Sequence, residues 1–77
     1  MRRPPETQWR YLLNTNPMSL EVHDLDNEKP QCQIDTIIRA GHAQYLRVST
    51  EAEMAAWLTA HPQYDGCYWC LPKYHRK

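Results

Sequence analysis

Cys67 and Cys70 are separated by two residues near the C-terminal end of a 77-residue chain. A chain this short makes one domain and buries a small share of its surface, so it usually needs a cross-link in addition to its apolar core. Two thiols with this spacing can hold one metal ion from a single turn, and Gly66 lets the backbone approach the ion. The spacing therefore predicts a small domain that is cross-linked by a metal ion.

A third cysteine, Cys32, makes the number odd, so the cysteines cannot all pair as disulfides within one chain. The N-terminal sequence lacks the apolar segment of a signal peptide, and no apolar run approaches the length that crosses a bilayer. We therefore expect a cytoplasmic protein with no membrane partner. In a reducing compartment, Cys-x-x-Cys is more often a metal or redox element than a structural disulfide, and metal ligation accounts for all three thiols.

The charges of the chain balance, with nine basic and nine acidic residues and a pI near 6.9. This balance excludes the broad positive charge of a strong non-specific nucleic-acid binder. Basic residues lie towards the two ends and acidic residues crowd the middle, so the ends would form a modest basic face if they meet in the fold. The basic residues near the ends are Arg2, Arg3, Arg10, Lys73, Arg76 and Lys77.

Three segments have patterns typical of β-strands. Residues 9–13 are mainly aromatic and aliphatic, residues 19–23 alternate apolar and polar side chains, and residues 43–48 form the third segment. The sequence Asn-Thr-Asn-Pro at residues 14–17 predicts a turn, because Asn tolerates unusual backbone angles and Pro fixes one of them. The first two strands are therefore expected to form a hairpin.

Two segments have patterns typical of helices. Isoleucines recur every three to four residues over residues 32–40, and Gly41 is placed to end that helix. Cys32 is expected in its first turn, where the positive end of the helix favours a thiolate. The sequence Thr50-Glu51-Ala52-Glu53 is a capping box that begins a second helix, which runs to about His61.

The order of these elements predicts an α+β domain. We expect a small three-stranded antiparallel sheet with two helices and a C-terminal zinc knuckle. Residues 1–8 are polar and contain proline, so they are interpreted as a flexible N-terminal tail. Residues 9–77 are interpreted as a single zinc-stabilised domain.

The fourth ligand has three candidates beside the cysteines. His23 is favoured, because it ends the second predicted strand and a loop can fold it onto Cys32; it shares a strand face with Glu21. His75 and Asp65 remain alternatives. Four protein ligands leave no coordination position for water, so the predicted role of the zinc is structural and the protein is expected not to be an enzyme. The predicted ligands of a Zn²⁺ ion are His23, Cys32, Cys67 and Cys70.

With these residues in view, the chain resembles the metal-binding domain of the Ada DNA-repair protein and the small bacterial modules that look like it. The shared outline is a strand that ends in a ligand, a ligand at a helix start, a strand leading into a short helix, and a closing Cys-x-x-Cys. In this sequence the outline is carried by Tyr11-Leu12-Leu13-Asn14, Val22-His23, Cys32, Ser49-Thr50-Glu51-Ala52 and residues 64–72.

The sequence departs from that family at its first ligand. The Ada domain uses four cysteines, one of which becomes methylated by DNA phosphotriesters, whereas His23 stands at that position here. An imidazole cannot take over that thiolate's role, and the gap from His23 to Cys32 is also longer than in the small modules. The resemblance therefore implies zinc and fold rather than repair chemistry.

Three functions are compatible with these residues. The first is a non-catalytic zinc-binding module that mediates interaction with a protein or nucleic-acid partner. The second is a DNA- or RNA-binding module, in which aromatic side chains stack bases beside Lys73 and Arg76. These aromatics are Tyr68, Trp69 and Tyr74, and the sequence favours instead a hydrophobic cap of them over the zinc. The third is a thiol redox protein, although a redox pair usually opens a helix in a larger α/β fold.

Overall fold

Four short strands, two α-helices and three 3₁₀ turns form the regular structure of residues 9–76, the part of the chain that the computed structural model describes. The predicted tail at residues 1–8 lies outside the described residues. In chain order the strands and α-helices are β1 (Tyr11–Asn14), β2 (Glu21–Asp24), α1 (Ile34–Arg39), β3 (Ala43–Leu46), α2 (Glu51–Ala60) and β4 (Asp65–Gly66). The sheet order is β3-β1-β2-β4, with β1 antiparallel to both β2 and β3.

The α+β class and the hairpin of the first two strands are confirmed, but the sheet has a fourth strand that the sequence analysis did not predict. Strand β4 pairs in parallel with β2. The Asp65 amide donates to the Leu20 carbonyl at 3.2 Å, and the Cys67 amide donates to the Val22 carbonyl at 2.9 Å. These two hydrogen bonds attach the closing cysteine segment to β2, which also carries His23.

Strand β1 is central and is buried on both faces of the sheet. Because successive side chains of a strand point to opposite faces, Tyr11 and Leu13 contribute to one core and Leu12 to the other. Helix α2 packs on the first face. The buried residues of that face are Tyr11, Leu13, Val22, Leu46, Met54, Leu58 and Leu71.

The second face carries helix α1 and the cysteines. The apolar residues of this face therefore pack around the candidate metal ligands, whereas those of the first face pack against α2. The buried residues of this second core are Leu12, Leu25, Cys32, Ile34, Ile37, Cys67 and Cys70.

Helix α1 begins two residues later than predicted, at Ile34. Cys32 ends a separate 3₁₀ turn, Pro30–Cys32, and Gln33 follows it with a left-handed φ of 57°. That backbone reversal separates Cys32 from the helix, so the prediction that Cys32 lies in the first turn of α1 is wrong. The dipole of α1 therefore does not account for a thiolate at this position.

Helix α2 begins as predicted. The Thr50 hydroxyl accepts a hydrogen bond from the Glu53 amide at 3.1 Å, and the Glu53 carboxylate accepts one from the Thr50 amide at 3.2 Å. Both halves of the capping box are thus formed. None of the helices within residues 9–76 is both long and apolar enough to span a membrane.

Candidate metal centre

Four side chains from three separate parts of the sequence meet on the second face of the sheet. The possible ligand atoms lie within 4.8 Å of one another, and all of the residues are buried. The group could hold a metal ion, and it consists of the residues that the sequence singled out. They are His23, Cys32, Cys67 and Cys70.

Each candidate ligand is placed by a different segment of the backbone. His23 belongs to β2, where its neighbour Val22 points into the opposite core. Cys32 is delivered by the 3₁₀ turn before α1, and Cys67 directly follows β4. The Leu71 amide donates to the Cys67 carbonyl at 2.8 Å, which closes the turn that brings Cys70 back to the cluster.

The distances within the group fit a small tetrahedral ion. The sulfurs of Cys32 and Cys67 are 3.7 Å apart, and the Cys70 sulfur is 3.7 Å from His23 Nδ1. A tetrahedral zinc with bonds of about 2.3 Å to sulfur would separate two sulfurs by about 3.8 Å. Three sulfurs and one imidazole nitrogen are also the donors that structural zinc sites use.

Backbone amides point at two of the sulfurs. The Asp24 amide donates to Cys70 Sγ at 3.1 Å, and the Trp69 amide donates to Cys67 Sγ at 3.4 Å. Hydrogen bonds of this kind stabilise the thiolate over the thiol. Each amide therefore favours the charged form of the sulfur that it faces, although at Cys70 the hydrogen bond with Cys67 and burial outweigh this effect.

The three thiols differ in how readily they ionise. Hydrogen bonds from Cys70 and His23 lower the pKa of Cys67 to about 3, although burial acts in the opposite direction. The pKa of Cys70 is raised, because its proton is shared with Cys67 and because the thiol is buried. Burial also raises the pKa of Cys32. A divalent cation would replace the protons that the Cys70 and Cys32 thiols retain.

The two alternative ligands, His75 and Asp65, lie outside the group and pair with each other. His75 Nδ1 is 3.0 Å from Asp65 Oδ2 and 3.1 Å from the Gly66 carbonyl oxygen. The Arg76 amide donates to Asp65 Oδ1 at 2.7 Å. These contacts fasten the C-terminal segment to β4, so both residues have a structural role here.

Glu21 is a neighbour of the group that the sequence analysis did not include among the site residues. Its Oε1 lies 3.6 Å from His23 Nε2, whereas the distance of 3.7 Å to the Cys70 sulfur is from Nδ1. The two-residue spacing along β2 places both side chains on one face, which was the signal available in the sequence. Burial raises the pKa of the Glu21 carboxyl, and the nearby imidazole of His23 opposes this shift.

The aromatic residues between the two closing cysteines lie at the surface. Tyr68 is 57% exposed and Trp69 is 46% exposed, and their rings meet edge to face at 4.9 Å. The Tyr68 ring also contacts the ring of His75 at 5.3 Å. About half of each side chain is therefore accessible, and the hydrophobic cap over the cysteines stays a prediction.

Comparison with family models, with characterised proteins and with solved structures gives no match for this chain. The fold and the geometry of the four side chains are therefore the basis for assigning a function.

Proposed function

We propose that this protein is a non-catalytic module whose fold is held together by one Zn²⁺ ion bound to His23, Cys32, Cys67 and Cys70. The observation that carries the proposal is the convergence of four buried donors within 4.8 Å, with two of their separations at 3.7 Å. The donor set is typical of structural zinc. As in the Ada-like modules that the sequence resembles, the ion would close a small domain.

Four protein ligands leave no position for a water or a substrate on the metal, so a structural role follows from the proposed ligand set. The thiols need a reducing compartment to remain available, which supports a cytoplasmic location. A module of this kind acts by presenting a surface to a partner, either a protein or a nucleic acid.

Metal analysis of protein purified under reducing conditions tests this proposal. We expect close to one equivalent of zinc per chain, and loss of that zinc in the Cys32→Ser and Cys67→Ser variants. Ser49→Ala, a substitution at an exposed position away from the group, is the matched control and should keep the metal. Less than about half an equivalent in the unmodified protein would overturn the proposal, since structural zinc sites bind tightly.

Nucleic-acid binding is a second candidate, favoured by the exposed aromatic pair. Residues 67–76 include Lys73 and Arg76 and contain no acidic residue. Exposed aromatic rings beside cations can stack bases and hold phosphates. Binding to single-stranded oligonucleotides should then weaken as salt is raised, and Trp69→Ala should weaken it at every salt concentration. Ile38→Ala, which truncates an exposed apolar side chain on α1, is the control; no binding even at low ionic strength would exclude this candidate.

The burial of the thiols argues against the redox alternative. All three cysteines are buried, whereas reactive redox thiols are partly exposed. Thiol titration of the zinc-loaded protein distinguishes a structural zinc site from a redox pair. If the zinc is structural, the thiols should be protected until a chelator or denaturant is added. Rapid reaction of two thiols with zinc still bound would favour redox chemistry.

A further inference from the structure

The two nitrogens of the His23 ring face different surroundings. Nδ1 lies 3.7 Å from the Cys70 sulfur and thus faces the candidate metal group. Nε2 is buried and has no hydrogen-bond partner, sulfur included, within residues 9–76. The side chain as a whole is 2% exposed, so water cannot easily satisfy this nitrogen.

Metal binding through Nδ1 would determine where the proton of His23 lies. A neutral imidazole that gives its Nδ1 lone pair to a cation carries its proton on Nε2. A buried N–H without an acceptor is destabilising, because it has lost its hydrogen bonds to water. The site therefore needs an acceptor on the far side of the ring.

Glu21 is placed to supply that acceptor. Its Oε1 is 3.6 Å from Nε2, roughly 0.4 Å beyond the longest ordinary N–H···O separation. The backbone of Glu21 is fixed by β1 and β4, because it pairs with Asn14 on one side and Asp65 on the other. The hydrogen bond would form if this separation of Oε1 from Nε2 shortened by about 0.4 Å. Asp65 Oδ1 accepts a hydrogen bond from the Arg76 amide, and Asp65 Oδ2 lies 3.0 Å from His75 Nδ1.

We propose that Glu21 is a positioning residue of the metal centre: its carboxylate accepts a hydrogen bond from the Nε2–H group of His23 and thereby presents Nδ1 to the metal. This inference rests on the proposed zinc site and adds a residue that acts through His23. Hydrogen bonds of this kind to ligating histidines orient the ring and raise its basicity, and their loss typically lowers metal affinity by about 10- to 100-fold.

The test compares zinc affinities, measured by competition with a chromophoric chelator, for the unmodified protein and three variants. Glu21→Ala removes the acceptor and should weaken zinc binding by about 10- to 100-fold. Glu21→Gln retains a carbonyl oxygen that can accept the same hydrogen bond, so it should recover most of that affinity. Glu51→Ala removes a carboxylate that accepts from Tyr74 on the other side of the sheet and should bind zinc like the unmodified protein.

A second measurement reports the role of Glu21 without relying on any variant. Long-range ¹H–¹⁵N NMR of the zinc-loaded protein should show His23 with its proton on Nε2 and the metal on Nδ1. The opposite tautomer would overturn the inference, and so would Glu21→Ala binding zinc within twofold of the unmodified protein. If the unmodified protein binds no zinc, the proposed function fails as well, whereas normal zinc binding with either of these results would overturn only the role of Glu21.

Discussion

At the scale of single residues, the ion pair between Arg10 and Asp24 fixes the backbone beside the ligands. The guanidinium donates to both carboxylate oxygens, with Nε–Oδ1 and Nη2–Oδ2 distances of 2.9 and 2.8 Å. Asp24 also accepts from the Asp26 amide at 3.0 Å, and its own amide donates to Cys70 Sγ. The side chain of Asp24 is therefore positioned by Arg10 while its backbone supports a ligand.

Replacing Arg10 by Met should destabilise the fold. The substitution leaves the buried Asp24 carboxylate without its bidentate partner, at a cost of about 1–3 kcal/mol in the free energy of unfolding. Urea denaturation of the zinc-loaded protein measures the loss. The double variant Arg10→Met/Asp24→Asn should be more stable than Arg10→Met, because the unpaired charge is removed. Equal stabilities of the two variants would show that the ion pair is not the cause.

The two glycines are needed for different reasons. A Cβ on Gly66 would lie 2.7 Å from the Tyr74 Cβ and 2.8 Å from the Tyr74 carbonyl carbon, so the C-terminal segment would have to move. Gly41 has open space around it but a φ of +79°.

We expect Gly66→Ala to cost about 1–3 kcal/mol through overpacking and also to weaken zinc binding, because Gly66 directly precedes Cys67. Gly41→Ala should cost about 1–2 kcal/mol through its left-handed backbone while zinc affinity stays the same. Urea denaturation and chelator competition on both variants measure these effects. If Gly41→Ala weakened zinc binding and Gly66→Ala did not, the explanation by overpacking at Gly66 and backbone strain at Gly41 would be wrong.

At the scale of elements, the capping box of α2 should act on stability alone. Thr50→Ala removes the hydroxyl that accepts from the Glu53 amide and should lower the free energy of unfolding by about 1 kcal/mol. Glu53→Gln is the matched control, because Gln can complete the same box. Zinc affinity should be unchanged in both variants, since α2 packs on the face opposite to the ligands. A Thr50→Ala protein as stable as Glu53→Gln would contradict this role of the cap.

The elements that the sequence predicted well are those whose signals are local. The start of α2 is encoded within four residues, and the β1–β2 hairpin within one turn and two short patterns. Strand β4 is only two residues long and exists because its backbone pairs with residues of β2 that lie 44 positions earlier in the chain. The isoleucine spacing predicted helix α1, but the left-handed Gln33 that shortens it has no clear signal in the sequence.

At the scale of the whole molecule, the sequence could name the four candidate ligands but not show how they meet. Their residue types and the Cys-x-x-Cys spacing indicated metal chemistry, and His75 and Asp65 could not be separated from His23 by spacing alone. Strand β4 separates these three candidates, because it holds Asp65 near His75 and places Cys67 beside β2, which carries His23. A long-range strand pairing thus distinguishes the candidates, and such pairings are poorly encoded in short patterns.

The sheet lies between the two cores and contributes residues to both. We therefore expect removal of the proposed Zn²⁺ ion to destabilise the cores on both faces of the sheet. Strand β1 contributes Leu12 to the ligand face and Leu13 to the face of α2. A ligand at about a thousand times its dissociation constant stabilises a fold by about 4 kcal/mol, which is a large part of what so small a domain has. A chelator should therefore lower the thermal midpoint and speed amide hydrogen exchange at Met54, within α2, as well as at Ile37, within α1. The Cys67→Ser variant is the control and should show no further change with chelator, because its metal site is already incomplete. Faster exchange confined to Ile37 would instead show that the face of α2 is stable without the metal.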